Sequence, residues 1–271
     1  MIREYLKQIK KDGYVLIPDL LTSLQCKKYK KLLETTHKKY SRHYFKSKQT
    51  EGLSDKSLEK VVYNLHNKSL EWFKLFENPM VLKILDIILK EGSFNNDEPY
   101  YLNNISARCP LKGNRGQIIH LDSNLPGVNY NVITNVIWYF DDVNKEKGTT
   151  IVIPKSHKYR KYADNTKKIK NKLFVKAKKG SVLIFNGNLW HGGSAKKTNS
   201  SRWALVLGYA RWFIKPSFDY MKNTQKSFYN KLNQKQKSLL GFDLVPPKDE
   251  FTRLKRRSNF YEVPDNYKLN V

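Results

Sequence analysis

The chain changes period after Gly92. Before it, Ile2 to Lys11, Thr22 to about Lys39, Ser69 to Phe76 and Pro79 to Leu89 carry apolar residues at helical spacing. After it come short runs rich in β-branched and aromatic residues, separated by turn signals. These are Tyr100 to Arg108, a strand around His120, Val132 to Phe140, Thr149 to Ile153, Leu173 to Lys176, Ser181 to Phe185 and Trp203 to Phe213. Helices first, then many short strands, predict a mainly β fold: an antiparallel double-sheet barrel flanked by helices. No repeat or linker divides the 271 residues, so 1–271 reads as one domain. Within it, 1–92 is the mainly helical part, 93–215 the β core, and 216–271 a C-terminal helix with a charged tail from Pro246.

Local signals sharpen the outline. Asp12-Gly13 is a turn leading into a strand at Tyr14 to Ile17, and Thr22 or Ser23 caps the helix that follows. Pro79 suits the first turn of its helix, where Val81, Leu82, Leu85, Ile88 and Leu89 form a core-facing stripe. Ser41 to Glu59 is polar and reads as an irregular excursion, either a solvated loop or a lid.

Lys and Arg total 51 against 24 Asp and Glu, a net charge of +27. Such an excess invites nucleic acid, but the lysines are spread along the whole chain rather than gathered in a patch. A solvated basic surface that favours anionic small molecules is the better reading. No run is long enough to span a membrane and Met1 to Lys10 lacks the apolar centre of a signal peptide, so a cytosolic protein is expected. The two cysteines, Cys26 and Cys109, form neither a disulfide framework nor a zinc pattern.

The chemistry-bearing stretch is Gln117 to Asp122, Gln-Ile-Ile-His-Leu-Asp. On a strand His120 and Asp122 point the same way, giving two corners of a metal site, and His191 offers a third. Two histidines and one carboxylate with open positions left over is the ligand set of non-haem Fe(II) oxygenases. The spacing alone is weak, because His-x-Asp arises by chance; the alternative is a pair of buried, hydrogen-bonded histidines and a turn aspartate. Gln117 has the wrong parity to share the face of His120 unless the strand bends.

The order of these features resembles the phytanoyl-CoA dioxygenase family of Fe(II)- and 2-oxoglutarate-dependent oxygenases over nearly the entire chain. Asp12-Gly13-Tyr14-Val15 with its capped helix is similar to the family's opening, and Asn78-Pro79 to its next segment. His120-Leu-Asp122 matches the family's His-x-Asp. Gly148 to His157 resembles its Pro-Gly-Ser-His loop, with Lys155 in place of the usual glycine. Gly180 to Gly193 resembles the strand of the distal histidine, Asn199 to Arg202 the arginine segment, and Gln236 to Phe242 the C-terminal signature.

The resemblance implies a double-stranded β-helix, or jelly roll, with His120, Asp122 and His191 holding Fe(II). It further implies 2-oxoglutarate and O2 as cosubstrates, Arg202 on the far carboxylate of 2-oxoglutarate, and an aromatic wall at Trp138, where an ordinary core tryptophan is the alternative. His157 is implied as a supporting residue outside the ligand set. Halogenating relatives replace the carboxylate ligand with a small residue; Asp122 is present, which favours hydroxylation of a small-molecule substrate, with an anionic one favoured by the charge. The rival is a non-catalytic or nucleic-acid-directed basic protein on the same fold.

Strand parity separates the two arginines near the C-terminal strand. Arg202, Ala204, Val206, Gly208 and Ala210 form a small face suited to a ligand-holding interior, whereas Trp203, Leu205, Leu207 and Tyr209 form a bulky one. Arg211 shares the bulky parity and is expected outside the barrel unless a bulge intervenes.

Overall fold

The computed structural model describes residues 1–44, 58–93, 99–244 and 249–251. Most of the expected lid, 45–57, and nearly all of the tail beyond Pro246 lie outside the described residues.

Helix α1 (Ile2–Asp12) ends at Gly13, whose φ of 89° closes the last turn in the left-handed region open to glycine. Strand β1 (Tyr14–Ile17) follows, then α2 (Ser23–Tyr44). Thr22 caps α2 reciprocally: its Oγ1 accepts from the Gln25 backbone N–H at 3.2 Å, while Gln25 Oε1 accepts from the Thr22 backbone N–H at 2.8 Å. Ser69 to Phe76, expected as one helix, is a 3-10 turn over Leu70–Trp72 joined to a short α3 (Phe73–Phe76). In α4 (Pro79–Lys90), the Asn78 side chain accepts from the N–H groups of Met80 and Val81.

Among the described residues, ten strands form two antiparallel sheets. They are β1, β2 (Glu59–Tyr63), β3 (Tyr100–Pro110), β4 (Gln117–His120), β5 (Ile133–Tyr139), β6 (Thr150–Val152), β7 (Leu173–Phe174), β8 (Val182–Asn186), β9 (His191–Gly193) and β10 (Ala204–Arg211). The larger sheet runs β1, β8, β5, β10, β3, β2; the smaller runs β4, β9, β6, β7. This is the jelly-roll arrangement. Strand β2 was not anticipated: the polar stretch before it masks a β-branched run that pairs with β3 through Val61↔Arg108 and Val62↔Ala107. Short helices α5 (Tyr220–Asn223), α6 (Lys226–Tyr229) and α7 (Gln234–Leu239) complete the described chain.

The two faces of the large sheet do different jobs. Val136, Trp138, Trp203, Leu205, Leu207 and Tyr209 face the helices and join Tyr29, Leu33, Trp72, Phe76, Leu82 and Leu85 in the main core. Removing so much aromatic and aliphatic surface from water is the dominant driving force for the sandwich of helices on sheet. The opposite face, with Ile137, Tyr139, Leu183, Phe185, Ala204 and Val206, lines the barrel interior and has smaller residues on β10. That asymmetry leaves room inside the barrel. No helix among the described residues is long and apolar enough to cross a membrane.

Candidate metal and cosubstrate site

The site is built around a bulge in β4. Gln117 pairs with Gly193 and His120 with His191, so three residues on β4 span two on β9. The extra residue rotates the strand, so Gln117 and His120 share one face despite their parity. This is the bend that parity alone does not supply. The main chain freed at the bulge is held from outside by Asn165: its Oδ1 accepts from Ile119 N–H at 3.1 Å and its Nδ2 donates to Ile119 O at 2.8 Å.

Both histidines are oriented by carbonyls. His120 Nδ1 lies 2.8 Å from Ile118 O, and His191 Nδ1 lies 3.0 Å from Leu189 O. A carbonyl can only accept, so each Nδ1 carries the proton and each Nε2 presents a lone pair. Asp122 is placed by the backbone: its N–H and that of Ser123 both donate to Gly187 O, at 2.9 and 3.1 Å. The carboxylate then faces both rings, Oδ1 at 3.4 Å from His120 Nε2 and Oδ2 at 3.4 Å from His191 Nε2.

The three candidate ligand atoms all lie within 4.8 Å of one another. With the Nδ1 positions protonated, the lone pairs and the carboxylate confront one another, an arrangement that a cation in their midst resolves. The residues present therefore fit a divalent metal with mixed nitrogen and oxygen ligands. Without one, burial raises the Asp122 carboxyl, but the two imidazoles outweigh it and hold the group well below the usual carboxylate range. Burial lowers His120, and the hydrogen bond and charge of Asp122 reverse this, leaving it above the ordinary histidine value.

These three residues open onto a cavity of about 160 Å³ inside the barrel, which Arg202 also lines. Arg202 is 7% exposed, with its guanidinium 5.7 Å from the centre of the Tyr139 ring and its buried Nε without a hydrogen-bond partner among the described residues. Tyr139 donates its hydroxyl to Thr150 Oγ1 at 2.9 Å. Arg108 lines the same cavity and is paired with Glu59 at 3.0 Å. A much larger groove, about 1400 Å³, lies between α1 and α4; it includes His157 and none of the three candidate ligands.

One expectation needs correcting. Trp138 is not in the cavity: it is fully buried on the helix side of β5, opposite Leu205 and Val182, and its neighbours Ile137 and Tyr139 are the residues that turn inward. Alternation along an unbroken strand requires this placement. Arg211 does lie outside the barrel, as parity demands, but is only 4% exposed. Its Nε donates to Asn131 O at 2.7 Å and its Nη2 to Glu91 O at 2.6 Å. Tyr139 is signalled only by inward parity on β5, whereas Asn165 acts across 46 residues of chain and carries no sequence signal of its own.

A jelly roll with two histidines and a carboxylate at one mouth of the barrel defines the class of non-haem metal oxygenase folds. Residues 9–204 match the family model for phytanoyl-CoA dioxygenase, and the chain belongs to that family. The protein Rv1501 of Mycobacterium tuberculosis, uncharacterised, is 23% identical over 171 residues, 63% of either chain. Dioxygenase af480 of Aspergillus fumigatus is 25% identical over 189 residues, 68% of this chain and 59% of its own. The matched stretch thus spans about 60% of these curated relatives.

Among solved structures, HygX from Streptomyces hygroscopicus, crystallised with nickel, 2-oxoglutarate and hygromycin B, superposes with a TM-score of 0.62 at 16% identity, covering 79% of this chain and 89% of its own. The epimerase SnoN, in complex with Fe3+, α-ketoglutarate and nogalamycin RO, gives 0.60 at 14%, covering 86% and 90%. At these identities the likeness concerns the fold.

Proposed function

We propose that the chain is an Fe(II)- and 2-oxoglutarate-dependent dioxygenase that hydroxylates a small-molecule substrate. The observation that carries this is the convergence of His120 Nε2, His191 Nε2 and the Asp122 carboxylate on one cavity that also contains a buried arginine whose Nε has no partner among the described residues. When bound, iron and 2-oxoglutarate supply the oxidation: O2 is consumed, the keto acid loses CO2 to become succinate, and a substrate C–H bond is hydroxylated.

The protein's own residues set the conditions. Ile118 O and Leu189 O fix the imidazole tautomers so that both Nε2 atoms are available as ligands. Asp122 supplies the anionic ligand and is kept ionised by its neighbours. Arg202 holds the far carboxylate of 2-oxoglutarate, since a planar, permanently charged donor gives a paired, charge-assisted contact. Phe185, its ring 4.7 Å from that of His191, screens the buried ligand from water. HygX and SnoN, with hygromycin B and nogalamycin RO, support a small molecule as the second substrate. The charge of +27 favours an anionic one, whose catalytic efficiency should fall with added salt while that of a neutral analogue stays flat.

The test is succinate formation from 2-oxoglutarate by the purified protein. It should require both Fe(II) and O2 and disappear on chelation. Turnover that is indifferent to iron, or salt-sensitive retention on DNA or RNA without any turnover, would overturn the proposal.

A further inference from the structure

We propose that the second substrate is an organic anion, bound in a depression just outside the barrel beneath the segment that joins β6 to β7; this rests on the metal and cosubstrate reading above. His120 and Asp122 line two cavities. The inner one, about 160 Å³, also contains Arg202. Sites that enclose drug-sized ligands run to roughly 300–1,000 Å³, so the inner cavity suits the cosubstrate and leaves no room for a second such molecule beside it. The outer one, about 360 Å³, brings Ile118, Leu121, Asn124, Tyr162 and Asn165 up to the same two ligands. The exposed member of the cluster is one that borders this depression: the Asp122 side chain keeps 37% of its surface exposed, the His191 side chain 8%.

The segment that walls the depression is anchored at several points. Trp190 Nε1 donates to Lys161 O at 2.9 Å, and the Tyr159 ring meets the Trp190 ring edge-on with centroids 5.2 Å apart. Tyr162 donates its hydroxyl to Asn124 O at 3.0 Å, and Asn165 makes its two hydrogen bonds to Ile119. The Tyr162 ring is therefore a fixed wall although 57% exposed, and Ile118, 52% exposed, offers aliphatic surface beside it. An apolar body fits these two side chains. Charge decides what the body carries. Between Lys155 and Lys172 the chain has eight Lys and Arg against Asp164 alone, and Asp164 is taken up by Thr166 at 2.5 Å and Lys167 at 3.1 Å. Lys161 and Lys168, which flank Tyr162 and Asn165 in the chain, are left without an acidic partner among the described residues. A single-sign field around a partly enclosed depression concentrates the opposite charge there. The ligand chemistry is thus a carboxylate or similar anionic group on an apolar body.

The test uses anaerobic, Fe(II)-loaded protein saturated with 2-oxoglutarate, so that Arg202 is occupied. It is titrated with 4-phenylbutyrate and with its neutral amide, 4-phenylbutanamide, following the broadening of the probe's proton resonances by the iron; Zn(II)-loaded protein is the blank. The carboxylate should bind at least about fivefold more tightly than the amide, and that preference should shrink as salt rises. Lys161→Gln with Lys168→Gln should bring the two probes within about twofold of each other by weakening the carboxylate alone. Tyr162→Ala should weaken both by about fivefold, the loss expected for one aromatic contact. In every variant iron stoichiometry and 2-oxoglutarate affinity should stay within about twofold of wild type, because neither depends on the outer depression. Equal affinity of the wild type for carboxylate and amide would overturn the substrate class. Iron-dependent broadening that is unchanged in both variants would overturn the site, since the probe would then lie elsewhere near the metal. A wild type that fails to hold iron or 2-oxoglutarate is recognised before any probe is added, and would remove the cosubstrate reading and this inference with it.

Discussion

Two buried arginines bracket β10, Arg202 two residues before its start and Arg211 at its end, and their surroundings differ. Arg211 is enclosed by main chain: the carbonyls of Asn131 and Glu91 take its protons, and its guanidinium lies 4.8 Å from the centre of the Tyr130 ring. It ties the end of α4 to the loop before β5. Arg202 is nearly as buried, yet its Nε has no partner among the described residues, and it opens on a cavity with three candidate metal ligands. Burying a charge without full hydrogen bonding is costly, so the arrangement at Arg202 makes sense when an anion completes it. The same residue type is thus satisfied by the fold at Arg211 and keeps a buried Nε without a partner among the described residues at Arg202, which is what the proposed cosubstrate role rests on.

The comparison can be broken from either end. The largest effect is expected at the ligand cluster that gives the Arg202 end its meaning: His120→Ala or His191→Ala should abolish stoichiometric Fe(II) binding and turnover, measured by metal analysis after desalting. Asp122→Gly should retain part of the iron, because two histidines remain, but lose most hydroxylation. Next comes Arg211→Ala, which strands the carbonyl of buried Asn131 and releases that of Glu91, and should lower unfolding free energy by about 2 kcal/mol in denaturant titrations. Arg202→Ala, by contrast, should alter stability by no more than about 1 kcal/mol, since the fold leaves that group under-satisfied. Smallest is Trp138→Phe. It removes a buried Nε1 that has no partner among the described residues, and should leave 2-oxoglutarate affinity within about twofold, as expected for a residue outside the cavity. A large loss of cosubstrate affinity there would show that the helix-side face reaches the site after all.

Much of this was legible in the sequence because alternation is local. The two faces of β10, and with them the placement of Arg202 and Arg211, follow from counting residues along an unbroken strand. The same counting places Trp138 beside Val136 on the helix side, and resemblance to relatives pointed the other way. What stayed hidden is non-local. The β4 bulge depends on the register of β4 against β9, residues some 70 positions apart. The Asn165 clasp on Ile119 is a long-range contact with no local pattern. Strand β2 is concealed behind a polar stretch, and only pairing with β3 reveals it. Burial of Arg211 needed the end of α4 to arrive from elsewhere in the chain.

The most direct test is an anaerobic titration of Fe(II)-loaded protein with 2-oxoglutarate, following the visible charge-transfer band of the chelate, on wild type, Arg202→Ala and Arg211→Ala. Wild type should develop the band saturably. Arg202→Ala should need at least about tenfold more 2-oxoglutarate, as for loss of a buried charge-assisted pair, while Arg211→Ala stays within about threefold. The reverse ranking, or no band in the wild type, would contradict the assignment of the cavity.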